Sequence, residues 1–222
     1  MIRRLAPSWV YASAFALAAV AGSVNAVAWL GTEHRGITHV TGALTETSTR
    51  LANGDLAAAG HTLLVIGAFL AGSTLSGLLI HSANLELGRR YGVGLVLEGA
   101  LLVAAWHARV DGRIPWADYF AAAACGLQNA LATSFSGAVV RTTHMTGVVT
   151  DLGLLLGHAL RGEVVDRGRA WLYLALLAGF FTGGAFGAVA SARLGPSALL
   201  LPAAAVTLGG VAYWIWLTRR RT

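Results

Sequence analysis

The chain has 222 residues, 56% of them hydrophobic types and 12% charged, with a mean hydropathy of +0.65. A soluble domain carries about 25% charged residues, so the composition excludes a disordered chain, a coiled coil and an ordinary soluble enzyme. The net charge of +6 comes from arginine without lysine. The arginines sit between apolar runs and at the termini, as in cytoplasmic loops of membrane proteins, and no nucleic-acid partner is expected.

The first apolar run covers 8–30 and follows Arg3 and Arg4. Val24-Asn25-Ala26 resembles a cleavage site, so a signal peptide is one reading. A first membrane span is the better one, because the run reaches the length of about 20 residues that crosses a bilayer. Residues 37–53 are dense in threonine, with Glu46 and Arg50 at i,i+4 spacing. They are too polar to face lipid and predict a short helix buried in protein, re-entrant or broken. Runs over 61–81, 91–108 and 116–135 predict three further spans. Residues 142–160 repeat the threonine-rich composition and predict a second short helix, before spans over 170–192 and 197–217.

The runs are continuous rather than alternating, which favours helices over strands. Trp9, Trp29, Trp116, Trp171, Tyr173, Trp214 and Trp216 lie near run ends, as interfacial belts require. The expected fold is all-α: a polytopic transmembrane bundle of about six spans with two short helices, one domain over 1–222. Eight full spans is the alternative. Either count places both termini in the cytoplasm by the excess of arginine on that side.

An internal repeat carries the strongest signal. His39-Val-Thr-Gly-Ala-Leu-Thr-Glu46 is matched by His144-Met-Thr-Gly-Val-Val-Thr-Asp151. Upstream, Gly22, Asn25 and Ala26 match Gly126, Asn129 and Ala130. The halves are about 1–110 and 111–222. Three spans per half would place the second copy upside down, the inverted plan of many secondary transporters; four would make the repeats parallel.

Ala21 to Gly42 and Ala124 to Gly153 resemble the two signature regions of the YoaK family of bacterial integral membrane proteins (domain of unknown function 1275). Gly126-Leu-Gln-Asn-Ala130 and Thr142-Thr-His-Met-Thr-Gly147 are the nearest matches. The resemblance implies a multi-pass protein of the bacterial inner membrane with about six spans. It supplies no substrate or reaction. The family pattern has aspartate where this chain has Asn25.

The candidate site residues follow from the repeat. Asn25 and Asn129, with Gln128 beside the latter, are costly in lipid unless hydrogen-bonded, and either line a site or tie helices together. Thr41-Gly42 and Thr146-Gly147 read as helix starts, with threonine as the N-cap and free N–H groups able to hold an anion. His39 and His144 precede those starts and could bond the helix ends, bind an anion or relay a proton. Asp151 is the better acid candidate, because Glu46 has Arg50 as a local partner. Glu98 is a second intramembrane acid, with pairing to an arginine as the alternative.

Gly179, Gly183 and Gly187 form a ridge for close packing or a homodimer interface, and Gly67, Gly72 and Gly77 resemble it. Cys125 is the only cysteine, so no intrachain disulfide forms, and neither a metal nor a cofactor is expected. No hydrolase elbow, P-loop or zinc motif is present, and no catalytic residue is assigned.

The expected function is a transporter or channel for a small polar solute, an anion among the candidates, with its site at the repeat interface. A membrane-embedded enzyme acting on a lipid and a non-catalytic scaffold are the alternatives.

Overall fold

The computed structural model describes residues 7–31, 37–80, 89–135 and 141–219. Among these residues there are eight α-helices, a short 3-10 turn and no strand. The long helices are α1 (Ser8–Gly31), α3 (Leu56–Leu79), α4 (Arg89–Val110), α5 (Ile114–Phe135), α7 (Arg167–Leu194) and α8 (Leu200–Arg219). The short ones are α2 (Val40–Ala52) and α6 (Met145–Leu160). Four helical stretches are long and apolar enough to cross a membrane, the last holding both α7 and α8. Helix α5 has the length but carries Asp118, Gln128 and Asn129, and it is not among the four.

The distribution of polarity is that of a protein in lipid. Leu64, Leu70, Leu78, Phe181 and Leu208 are exposed on the outside, while Glu98, Asp118, Gln128 and Thr142 are buried. In water such an apolar exterior would aggregate. In a bilayer it faces acyl chains, and the chain is a membrane-embedded helical protein.

Small residues set the helix pairing, as they do where no hydrophobic force separates protein from solvent. A Cβ at Gly179, Gly183 or Gly187 of α7 would collide with the backbone of Phe15, Ala19 or Ser23 of α1. These contacts advance together along both helices, so α1 and α7 run in the same direction. Helix α3 packs on α5 in the same manner. A Cβ at Gly72 would strike the Ala123 carbonyl, and one at Gly126 the Phe69 carbonyl.

Helices α4 and α8 cross in opposite directions. A Cβ at Gly92 would lie 2.9 Å from the Gly210 carbonyl oxygen, and one at Gly99 3.1 Å from that of Ala203.

The contacts recur between the halves. Ala19 against Gly183 corresponds to Ala123 against Gly72, and Gly22 against Phe180 to Gly126 against Phe69. Each half therefore lends its first helix to the second long helix of the other. The expected glycine ridge of α3 is narrower than its sequence suggests. Gly72 packs, while a Cβ at Gly67 or Gly77 would meet nothing within 4 Å.

The short helices depart from expectation. Both were expected to be buried in protein, yet α2 buries only Ala43 and Thr47, and α6 only Val148. The reason lies in the hydroxyls. Thr45, Thr47 and Thr49 each donate to the carbonyl four residues back, at 2.8–3.1 Å. A threonine satisfied by its own helix needs no protein cover.

Both short helices turn directly into the next long one. Gly54 and Gly162 take φ of 76° and 77° at these turns, a left-handed conformation that suits glycine. Asp55 and Asp166 then cap α3 and α7 by accepting from Ala58 N and Arg169 N, each at 3.1 Å.

Candidate functional site

The repeated asparagines hold the chain that leads into each short helix. Asn25 Oδ1 accepts from Thr38 Oγ1 at 2.8 Å. Asn129 Oδ1 accepts from Thr143 N at 3.4 Å, in the matching place of the second half. Gln128, 1% exposed, does more. Its Oε1 accepts from Thr142 Oγ1 at 3.2 Å, and its Nε2 donates to the Leu17 carbonyl of α1 at 3.2 Å. The three carboxamides thus act as ties within and between helices.

The helix starts need a correction. The N-caps are His39 and His144, and neither makes a side-chain capping bond. Thr41 and Thr146 already lie in the first turn, where their carbonyls accept from Thr45 Oγ1 at 3.1 Å and Thr150 Oγ1 at 2.9 Å. The preceding threonines are held by the carboxamides upstream, which fixes the start of the helix two residues earlier. Thr41, Gly42, His39 and Thr146 are exposed, and the His39 ring meets Phe180 edge-on at 6.3 Å.

The second half builds a polar pocket of about 330 Å³ from Arg141, His144, Gly147, Val148, Asp151, Arg169 and Tyr173. His144, Gly147 and Asp151 come from the repeated motif. Arg169 and Tyr173 come from the first two turns of α7, which faces α6 across the cleft. The His144 ring fills the space that a side chain at position 147 would need. Tyr173 and Asp151 face each other in the lining. Arg169 Nε lies 3.8 Å from Asp166, the cap of its own helix. Two guanidiniums, one of them beside Asp166, an imidazole and the Asp151 carboxylate thus meet near the first N–H groups of α6.

Among the described residues, the first half keeps the motif but not this lining. Positions corresponding to Arg169 and Tyr173 are Ala58 and Thr62, and the Thr62 hydroxyl donates to its own helix at 3.0 Å. Glu46 pairs with Arg50 at 3.5 Å, and Arg50 with Asp55 at 3.2 Å. Asn25, His39, Thr41 and Gly42 therefore stand outside the pocket, and so do the ties Gln128 and Asn129.

Arg141, Arg169 and Tyr173 were not legible as site residues. The signal available was two arginines flanking the second motif, with a tyrosine one helical turn beyond Arg169.

A second polar group lies where α3, α4 and α5 meet, and no motif in the sequence marks it. His61 Nε2 contacts Asp118 Oδ2 at 3.3 Å, and His61 Nδ1 meets the Tyr119 hydroxyl at 3.1 Å. Arg109, on the last turn of α4, packs against Gly31 and lies within the field of Asp118. Glu98 is buried with Oε2 unbonded among the described residues, and the arginine pairing is not formed there.

No curated protein and no solved structure matches the chain. Residues 13–212 match the family described as a protein of unknown function, DUF1275. That match spans most of the 222 residues, and the chain belongs to this family.

Proposed function

We propose that the protein is a multi-pass transporter or channel of the bacterial inner membrane that binds a small anion in the pocket between α6 and α7. The carrying observation is the convergence of Arg141, His144 and Arg169 on the start of a short helix. The pocket belongs to the second half, which moves the proposed site away from the repeat interface. A volume of about 330 Å³ suits a small carboxylate or inorganic oxyanion.

The membrane arrangement is six spans in one domain of two inverted repeats. Three features support it. Helices α2 and α6 have 13 and 16 residues, about 20 and 24 Å at 1.5 Å per residue, short of the hydrocarbon core of about 30 Å. Helix α4 turns back into α5 at Asp111–Arg113, and α7 into α8 at the 3-10 turn Gly195–Leu199. With α1 and α7 running one way and α4 and α8 opposed, α5 runs against α1.

Cysteine labelling tests the arrangement. In a Cys125→Ala background, Asp55→Cys is expected to react only from outside and Arg161→Cys only from the cytoplasm. Reaction of both from one side would remove the inverted repeat.

Uptake tests the function. Proteoliposomes are expected to take up at least one member of a panel of phosphate, sulfate and short monocarboxylates. Arg169→Ala should lower that uptake tenfold or more, and Ala58→Ser, at the corresponding first-half position, should leave it unchanged. No uptake across the panel, or equal uptake by Arg169→Ala, sinks the proposal.

A further inference from the structure

The two halves differ in how closely their first helices pack on α4 and α8. Helix α5 lies against α4 along its length, tied to it by a tight turn. The pair that corresponds to it under the repeat is α1 and α8, which no turn connects, and they touch only weakly. Between them opens a groove of about 1270 Å³, walled by α1, α7 and α8 and floored by Tyr91 and Leu95 of α4. Along α1 it extends from Trp9 to Ser23, about 21 Å at 1.5 Å per residue. An extended acyl chain of about 16 carbons has that length.

The groove is apolar along its walls and polar at one end. Ala16, Val20, Phe186, Ala205, Val206 and Gly209 face its length. Trp9, Trp216, Tyr91 and Tyr213 gather at one end, with the two tyrosine rings 6.3 Å apart. Aromatic rings of this type sit at headgroup level. Arg90 precedes Tyr91 and Arg219 follows Trp216 by one turn, both exposed. A slot of acyl-chain length with cationic groups at its headgroup end complements an anionic lipid.

We propose that this groove binds one acyl chain of an anionic phospholipid, with the headgroup held near Arg90 and Arg219. The site is separate from the anion pocket and does not depend on it.

Gly209 allows a direct test. It lines the groove, and a Cβ added there meets nothing within 4 Å, so Gly209→Phe projects a ring into the groove and leaves Gly210 to keep its contact with α4. The full chain would be purified in a neutral detergent and mixed with dioleoyl-phosphatidylglycerol or dioleoyl-phosphatidylcholine, and bound lipid counted by native mass spectrometry. The expected result is one retained phosphatidylglycerol per chain, at least tenfold less phosphatidylcholine, and at least tenfold less phosphatidylglycerol on Gly209→Phe. A normal elution profile for Gly209→Phe shows that it folds. If it fails to fold, Ala205→Leu replaces it.

Equal retention of phosphatidylglycerol by the folded variant would overturn the proposal. So would equal binding of the neutral lipid. A wild-type dimer that Gly209→Phe dissociates would assign the groove to a second copy instead and overturn it as well.

Discussion

Gly183→Ala and Gly72→Ala are expected to destabilise the bundle to the same extent. In each case the new methyl group falls on a backbone carbonyl, that of Ala19 in one and Ala123 in the other. A flexible side chain could move aside, but a carbonyl in a helix cannot without parting the two helices. Overpacking of this sort costs about 1–3 kcal/mol and sometimes more. Gly67→Ala and Gly77→Ala meet nothing within 4 Å. There the gain in helix propensity, up to about 1 kcal/mol, should show through as a stabilisation. The sign of the change thus separates packed from unpacked glycines on one helix. Thermal melting of the four variants in detergent measures it. Clearly unequal losses at Gly183 and Gly72 would mean that the two contacts are not equivalent in energy, and a gain at either would contradict the close approach itself.

Gln128→Leu is expected to cost about 1–2 kcal/mol, the range of interhelical hydrogen bonds in membranes. It removes two bonds, one to Thr142 and one to the Leu17 carbonyl. The Thr142 hydroxyl, fully buried, would be left without its acceptor. Removing one partner of a buried pair costs more than removing both, because the survivor stays desolvated and unbonded. The double variant Gln128→Leu/Thr142→Val should therefore be more stable than Gln128→Leu alone. Melting of both variants and of Thr142→Val closes the cycle, and strict additivity would show that the two side chains do not act together.

The helices were legible because the apolar runs are long and continuous, and the repeat was legible because it keeps His-x-Thr-Gly-x-x-Thr and an acid in order. What the motif does locally was harder to read. Thr41 and Thr146 resemble caps in isolation, yet the cap position passes to histidine because Thr38, Thr142 and Thr143 are held by residues 13 or 14 places upstream. That is tertiary information. The polarity of α2 misled for a related reason: a threonine counts as polar in composition, whereas its hydroxyl is spent on its own helix. The pocket required Arg169 and Tyr173, which lie outside the repeated motif and have no counterparts in the first half. A search guided by the repeat finds what the halves share and misses what only one of them has. The groove was illegible for another reason. It depends on the absence of a turn between α1 and α8, and that absence acquires meaning only once α4 and α5 are seen packed together.

The pairing of α1 with α7 has a consequence for how the protein is made. Gly183 leaves the ribosome about 160 residues after its neighbour Ala19. At about 5–20 residues per second, α1 waits on the order of ten seconds before its partner exists. During that interval its packing face, which includes Ser23 and Gly22, lies uncovered in the bilayer or against the insertion machinery. Helices α3 and α5 meet much sooner, within one pass of synthesis. Helices α3, α4 and α5 can thus assemble while the chain is still growing, and α1 gains its α7 partner only after a long delay in which a competing helix of similar small-residue character could capture it. Slowing translation between α5 and α7 should lengthen that exposure and lower the yield of assembled protein without altering its final stability.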